Sequence, residues 1–283
     1  MKALRSKKHV LCEKPVSTSA SDYQELINVA KEVNRYIMDG TMFVHNIRTN
    51  HFLNYIAQDD VFGKVLRINS EFTFRGDEQF MANDIRTTKD GDPYGCIGDL
   101  GWYCVRLAQL VFREVKSGKV KSAQATNWKL NDEGVPIDAN CFVFFHDEDA
   151  EDEEGSEHVL SFHCSFVHPL QQRVSICGTK QSLEMIDYVL PRQGPSTYTV
   201  QGQDLTVNDE YSVLHSDMME APDGPVQEVL MWRHFSKYCR ATEATGCWDD
   251  VDANTVSSIS LETQTIVDAL MESIANGGNV VKL

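Results

Sequence analysis

Hydrophobic positions in the first forty residues fall into short apolar runs separated by a helical spacing. His9-Val10-Leu11-Cys12-Glu13-Lys14-Pro15-Val16-Ser17 reads as a short buried strand stopped by proline, which biases Lys14 toward extended geometry and cannot continue a ladder. Tyr23, Leu26, Ile27, Ala30 and Val33 then share one helix face, with Ser19 or Ser21 as N-cap. Tyr36-Ile37-Met38-Asp39-Gly40 is a second short strand ending in a turn glycine. This is the βα rhythm of a parallel sheet, and in such sheets ligands bind where the strands end, which is where Lys14 stands.

From Val65 the period changes to two. Leu66, Ile68, Ser70, Phe72 and Phe74 alternate with Arg67, Asn69, Glu71 and Thr73, the pattern of a strand with one solvated face. Similar runs recur at 139–145, 158–167, 173–177, 182–187 and 197–201 without intervening helices, which predicts a largely antiparallel sheet. The runs at 139–145 and 158–167 are expected hairpin partners. Two helices close the chain, one from near Pro225 carrying Val229, Leu230, Trp232 and Phe235, the other from about Asp252 to Ile274. The sheet face with Phe142, Phe144 and Phe162 reads either as core or as a subunit interface.

Composition narrows the possibilities. With 283 residues, 42% of them hydrophobic, the chain can bury a sizeable core, and no apolar run approaches the roughly 20 residues of a membrane span. A formal charge of -16 argues against unspecific nucleic-acid binding. Much of that acidity sits in one stretch from Asp147 to Glu157, which reads as a solvated hairpin loop without the spaced ligands and turn glycine of a calcium loop. Eight cysteines without a Cys-x-x-Cys pair or a secretory segment suggest a reduced, cytoplasmic protein. No metal site is expected, and His163-Cys164 reads as part of a strand.

The chemistry concentrates in two places. Gly95-Cys96-Ile97-Gly98-Asp99-Leu100-Gly101-Trp102-Tyr103 is a glycine-rich approach to a helix, with Asp99 as a candidate N-cap and Tyr103 four residues on along the same face. An acid and a phenol beside Lys14 form a candidate proton-transfer site, in which the ammonium is expected to lower the phenol's pKa. The plain alternative is that Asp99 caps and Tyr103 packs.

Lys8 through Pro15 and Gly98-Asp99-Leu100-Gly101-Trp102-Tyr103 together resemble the two signatures of Gfo/Idh/MocA-type oxidoreductases, in the right order. Leu261 to Leu270 followed by Ser273 is similar to that family's last helix, and Cys177-Gly178-Thr179-Lys180 to its sheet turn. The segments Ile37 to Asn46 and Gly76 to Arg86 look like a branch of uncharacterised plant oxidoreductases related to dimeric dihydrodiol and xylose dehydrogenases. Ile47 departs from that branch, which tends to carry proline after His-Asn. The resemblance implies Lys14, Tyr103 and Asp99 as catalytic residues, Glu13, Lys14 and Pro15 as cofactor contacts, and His45, Arg48 and Arg86 around the substrate. It implies NADP or NAD as cofactor, a sugar, polyol or diol as substrate, and association into a homodimer or higher oligomer through the sheet face.

The family's Gly-x-Gly-x-x-Gly, whose backbone N–H groups hold the pyrophosphate, occurs nowhere in the 283 residues. By the resemblance, roughly 80 to 100 residues of βαβ units would precede this chain. The expected fold is therefore α/β: a Rossmann parallel-sheet remnant at 1–40, a mixed, mostly antiparallel α+β sheet domain at 41–250, and a closing helix and tail at 251–283 that packs on the remnant. The expected function is an NAD(P)-dependent oxidoreductase acting on a secondary hydroxyl of a sugar or trans-diol, or the reverse reduction, truncated and inactive alone. Two alternatives stay open: a non-catalytic short form serving as a binding or oligomerisation module, and a module borrowing its nucleotide site from a partner chain.

Overall fold

The structure, a computed structural model, describes residues 1–115, 118–147, 157–192, 195–204, 213–245 and 251–283. A short helix α1 (Lys2–Arg5) leads into strand β1 (Val10–Cys12), helix α2 (Ala20–Glu32) and strand β2 (Ile37–Asp39). Ser19 caps α2 by accepting from the Asp22 N–H, and Tyr23, Ile27 and Ala30 form its buried face. β1 and β2 pair in parallel, Val10 with Ile37 and Cys12 with Asp39, as the apolar runs predict.

Helix α3 (Ile47–Ile56) and strand β3 (Val65–Arg75) follow, then helix α4 (Glu78–Asn83) and helix α5 (Trp102–Gln109), which is entered through a wider π turn at Ile97–Gly101. Strands β4 (Gly118–Leu130), β5 (Pro136–Asp147), β6 (Glu157–Ser165), β7 (Val167–Gly178), β8 (Gln181–Met185), β9 (Thr197–Asp204) and β10 (Val213–Glu220) build the large sheet. Helices α6 (Gln227–Thr245) and α7 (Val251–Ala275) precede a last short strand, β11 (Val281–Lys282).

The sheet has nine strands in the order β10-β9-β8-β7-β3-β6-β5-β4-β11. Among the described residues its ladders are antiparallel except β3 with β6, which run parallel because β3 sits between β6 and β7. β5 and β6 pair as expected, Cys141 opposite Phe162 and Phe142 opposite Ser161. Most of the acidic stretch that joins them, 148–156, lies outside the described residues.

Alternation sends Ala139, Cys141, Val143 and Phe145 of β5 and Leu160, Phe162 and Cys164 of β6 inward, all buried. This divides the expected aromatic face. Phe162 belongs to the core, whereas Phe142 and Phe144 lie half-buried on the opposite face with their rings 6.3 Å apart. Leu66 also departs from the simple alternation: a register shift between Val65 and Arg67 leaves it exposed.

One buried polar seam ties the small parallel pair to the large sheet. Asp39, at the end of β2, accepts from Arg106 Nη2 of α5 at 2.9 Å, from the Thr41 N–H at 2.8 Å, and from the Ser260 hydroxyl of α7. Arg106 Nε donates to Thr263 Oγ1 of α7 at 3.0 Å, and the Trp102 indole donates to Thr41 Oγ1 at 2.8 Å. Burial alone would raise the Asp39 pKa, but the Arg106 charge and the Ser260 and Thr41 hydrogen bonds outweigh it and hold the carboxyl below its ordinary range. α7 touches the small pair again through Ser257 Oγ, which donates to the Ile37 carbonyl at 3.2 Å, and touches the start of α2 through Asp268, which accepts from the Ala20 N–H at 2.7 Å.

Removing one member of the Asp39–Arg106 pair strands a buried charge, so Arg106→Met is expected to cost about 3 to 5 kcal/mol in urea unfolding. The double variant Asp39→Leu/Arg106→Met should recover much of that loss. Equal destabilisation by the single and the double variant would show that the pair does not hold the seam together.

Candidate active site

β1 ends at Cys12, and the chain leaves the sheet through Glu13-Lys14-Pro15. The chain bends at Lys14 and Pro15 rather than running on extended, and brings Lys14 to the π turn ahead of α5. Its ammonium donates to the Asp99 carboxylate and, at 2.6 Å, to the Asp99 backbone carbonyl, with both side chains only 10% exposed. Asp99 therefore does not act as the expected N-cap. It lies within the π turn, and its carboxylate serves Lys14 on one oxygen and Arg86 Nη1, at 3.5 Å, on the other. Arg86 sits at the rim, gripped by Asp84 at 2.8 and 3.1 Å and lying over the Phe80 ring.

Tyr103 completes the group. Lys14 Nζ stands 4.9 Å from the centre of its ring, a cation–π arrangement, and the rings of Phe43 and Phe72 flank it at 6.0 and 5.5 Å. Its hydroxyl makes no hydrogen bond among the described residues. The expected direction of its pKa is reversed: burial raises it, and the charges of Asp99, Glu13 and Asp39 add to the rise. Lys14 cannot offset these effects because its ammonium is neutralised by Asp99 and faces the ring rather than the hydroxyl.

Two glycines let these parts approach. A Cβ on Gly98 would stand 2.6 Å from Tyr94 Cβ and 3.3 Å from Pro15 Cγ, and one on Gly40 would stand 3.1 Å from the Glu13 carboxylate. Glu13 is exposed and folds over Gly40 at the end of the neighbouring strand. Glu13, Lys14 and Pro15 thus stand together at this strand end. The chain's 283 residues carry no glycine-rich turn for the pyrophosphate.

The sequence-derived substrate residues separate. Arg86 joins Asp99, but Arg48 is buried and committed to the Asp187 carboxylate at 2.7 Å, the Asp187 carbonyl at 2.7 Å and the Thr197 carbonyl at 3.0 Å. His45 lines a different cavity of about 180 Å³ with Met38, Asp39, Arg106, His234 and Tyr238. Its Nδ1 lies 2.7 Å from His234 Nδ1, and burial together with the His234 charge lowers its pKa to about 4. Asp92 was not singled out by the sequence. It is buried, Oδ1 accepts from the Tyr94 N–H at 3.0 Å, and burial lifts its pKa to about 6 with Asp99 adding to the rise. Its setting, Asp90-Gly91-Asp92-Pro93, has the composition of an ordinary turn, so no pattern marked it.

Comparison with known proteins places this geometry. Residues 1–41 match the oxidoreductase family model with an NAD-binding Rossmann fold, and residues 53–184 match the GFO/IDH/MocA C-terminal domain. The chain belongs to the Gfo/Idh/MocA oxidoreductase family. Within that family it is 25% identical over 205 residues to trans-1,2-dihydrobenzene-1,2-diol dehydrogenase of Bos taurus, covering 71% of this chain and 53% of the relative. It is 33% identical over 110 residues to dTDP-3,4-didehydro-2,6-dideoxy-alpha-D-glucose 3-reductase of Streptomyces violaceoruber, covering 39% of this chain and 31% of the relative. The chain thus spans about half or less of these relatives.

Among solved structures, a 3-ketoreductase from Actinomadura kijaniata in complex with NADP and TDP-benzene superposes with a TM-score of 0.71 at 21% identity, over 96% of this chain and 72% of that one. An inositol dehydrogenase homolog from Azotobacter vinelandii, complexed with NADH and myo-inositol, gives 0.73 at 16% identity, over 100% and 73%. These two establish a shared Gfo/Idh/MocA fold. Among the described residues no helix is long and apolar enough to cross a membrane.

His45 and Asp92 set opposing pH dependences. A histidine lowered from 6.5 to about 4 contributes about 3 kcal/mol that is complete above pH 6.5 and lost as pH falls toward 4. A carboxyl raised from 3.8 to about 6 imposes about 3 kcal/mol of penalty that is absent below pH 3.8 and complete above 6. Urea unfolding between pH 4 and 6.5 should show His45→Gln losing stability relative to the parent as pH rises and Asp92→Asn gaining it. Parallel profiles for all three proteins would contradict both assignments.

Proposed function

We propose that this chain supplies the reacting end of an NAD(P)-dependent oxidoreductase that interconverts a secondary hydroxyl of a sugar or trans-diol with the corresponding ketone. The observation that carries this reading is the Lys14–Asp99 pair beside Tyr103, assembled at a strand end of a Gfo/Idh/MocA family fold. Glu13, Lys14 and Pro15 would hold the nicotinamide end of NADP or NAD, which supplies or accepts hydride when bound. The dihydrodiol dehydrogenase and sugar ketoreductase relatives support the substrate class.

Lys14, anchored by Asp99, donates a hydrogen bond to the substrate oxygen and stabilises the negative charge that develops there. Tyr103, kept as a neutral phenol by burial and by the nearby carboxylates, donates a proton to that oxygen. A raised phenol pKa keeps Tyr103 protonated at neutral pH, the form that donates the proton in reduction. Arg86 faces the polar substituents of the substrate at the rim. His45 and Arg48 act in the scaffold instead.

In this reading the pyrophosphate needs a cradle other than a Gly-x-Gly-x-x-Gly turn, which the 283 residues do not contain. NADPH and NADH titrations followed by fluorescence, on the chain and on a version extended at its amino end by upstream coding sequence, test this. Binding by the extended form alone is expected; binding by neither form overturns the oxidoreductase reading. In the binding form, Lys14→Met and Tyr103→Phe should each lower kcat about 10²- to 10⁴-fold, and near-normal turnover would remove that residue from the mechanism.

Self-association through the outer sheet face, where Phe142 and Phe144 are half-buried, belongs to the same proposal. Sedimentation should show a dimer or larger species that Phe142→Ser/Phe144→Ser converts to monomer. A monomeric parent protein would rule it out.

A further inference from the structure

A second cluster of chemically capable side chains stands on the outer face of the large sheet, apart from Lys14 and Tyr103. Asp138 of β5 lies opposite Ser165 of β6, and His163 precedes Ser165 by two residues, so Asp138 and His163 are diagonal neighbours on one face. His163 Nε2 is 2.8 Å from Asp138 Oδ1. The chain then turns from β6 into β7, and that turn returns His168 to the same oxygen, Nδ1 to Oδ1 at 3.3 Å. Ser165 fixes the turn: its Oγ accepts from the Val167 N–H at 3.1 Å and lies 2.9 Å from His168 Nδ1. The two imidazoles meet edge to face with centroids 4.9 Å apart.

We propose that Asp138, His163 and His168 form a binding site for a single zinc-class divalent cation. One oxygen and two imidazole nitrogens all lie within 4.8 Å of one another. Tetrahedral zinc with bonds of roughly 2.0 to 2.1 Å separates its ligand atoms by roughly 3.3 Å, so a small closing movement of the rings suffices. The His168 side chain is 50% exposed and lies at the start of β7, between Val167 and Gln171 where the ladder with β3 shifts register, which makes it the member free to close, while His163 and Asp138, at 21% and 17%, are held by the ladder.

The donor set defines the ion. Two neutral imidazoles with one carboxylate suit zinc, cobalt or nickel, whereas magnesium and calcium demand oxygen ligands. Cys164, adjacent to His163 in sequence, takes no part: alternation turns it to the inner face, fully buried, with its Sγ 3.8 Å from Cys96 Sγ. The sequence pair His163-Cys164 thus divides between the two faces, and the partners of His163 come from 25 residues before it and from the start of β7.

Cobalt(II) is the probe, because its visible ligand-field absorption reports tetrahedral nitrogen and oxygen ligation. The whole chain, stripped with a chelator and alkylated at its accessible thiols, should bind one cobalt per chain, which zinc displaces and excess magnesium does not. His163→Gln, His168→Gln and Asp138→Asn should each weaken binding at least about tenfold, a floor set by what the loss of even an outer-sphere partner costs. His168→Gln, at a half-exposed position at the start of β7, should keep the parent's circular dichroism and melting temperature, separating ligand loss from misfolding. Absence of cobalt binding to the parent overturns the proposal, as does binding that all three variants retain, which would place the metal elsewhere. Neither outcome bears on the Lys14 and Tyr103 chemistry.

Discussion

The buried Asp39–Arg106 ion pair is the constraint on which the remaining geometry depends. Asp39 ends β2, Arg106 lies on α5, and α7 closes over both through Ser260 and Thr263. β1 is in register with β2, so fixing Asp39 fixes the strand end from which Lys14 emerges. Arg106 stands one helical turn after Tyr103, so fixing the guanidinium fixes the height and rotation of the phenol. Two parts of the chain separated by 67 residues are thereby brought to a common point. Such a pair is costly to desolvate, and its contribution here is the relative placement of two layers rather than stability gained over an apolar contact.

Much of the architecture was legible from periodicity. The β1-α2-β2 unit, the β5–β6 pairing and the two closing helices all follow from patterns of two and 3.6. β4 was not seen because irregularities between Val120 and Ser122 and between Ala125 and Asn127 break its alternation. α3 was missed because its buried face carries Arg48 and Thr49, which read as polar. Lys14, Asp99 and Tyr103 were legible from spacing and resemblance, and the structure brings them together. The electrostatics were not legible: whether an ammonium meets a phenol's hydroxyl or its ring, and how much water reaches it, are tertiary properties. Asp92 and the split of Phe142 from Phe162 belong to that class, as does the division of His45 and Arg48 from Arg86.

The family fold and the local chemistry carry different weights. The matches at 1–41 and 53–184 secure the family, and the superpositions secure the arrangement of helices and sheet. Reaction and substrate rest on a handful of side chains, because one fold carries many chemistries. In this chain those side chains are tightly mutually bound: Lys14 to Asp99, Asp99 to Arg86, Arg86 to Asp84. The network fixes the ammonium in one position, and in the proposed reaction that position would be the preorganisation that electrostatic catalysis requires.

The position of β3 has a consequence for the order in which the molecule assembles. Arg67 pairs with Val159 on one side and with Cys177 on the other, partners that follow it by 92 and 110 residues. During synthesis the central strand therefore leaves the ribosome with neither neighbour made, its buried Ile68 and Phe72 side without a cover. Closing such long loops is slow, and apolar strands waiting for partners are prone to aggregate. The middle of the sheet thus waits for residues 157–178 before β3 gains either neighbour.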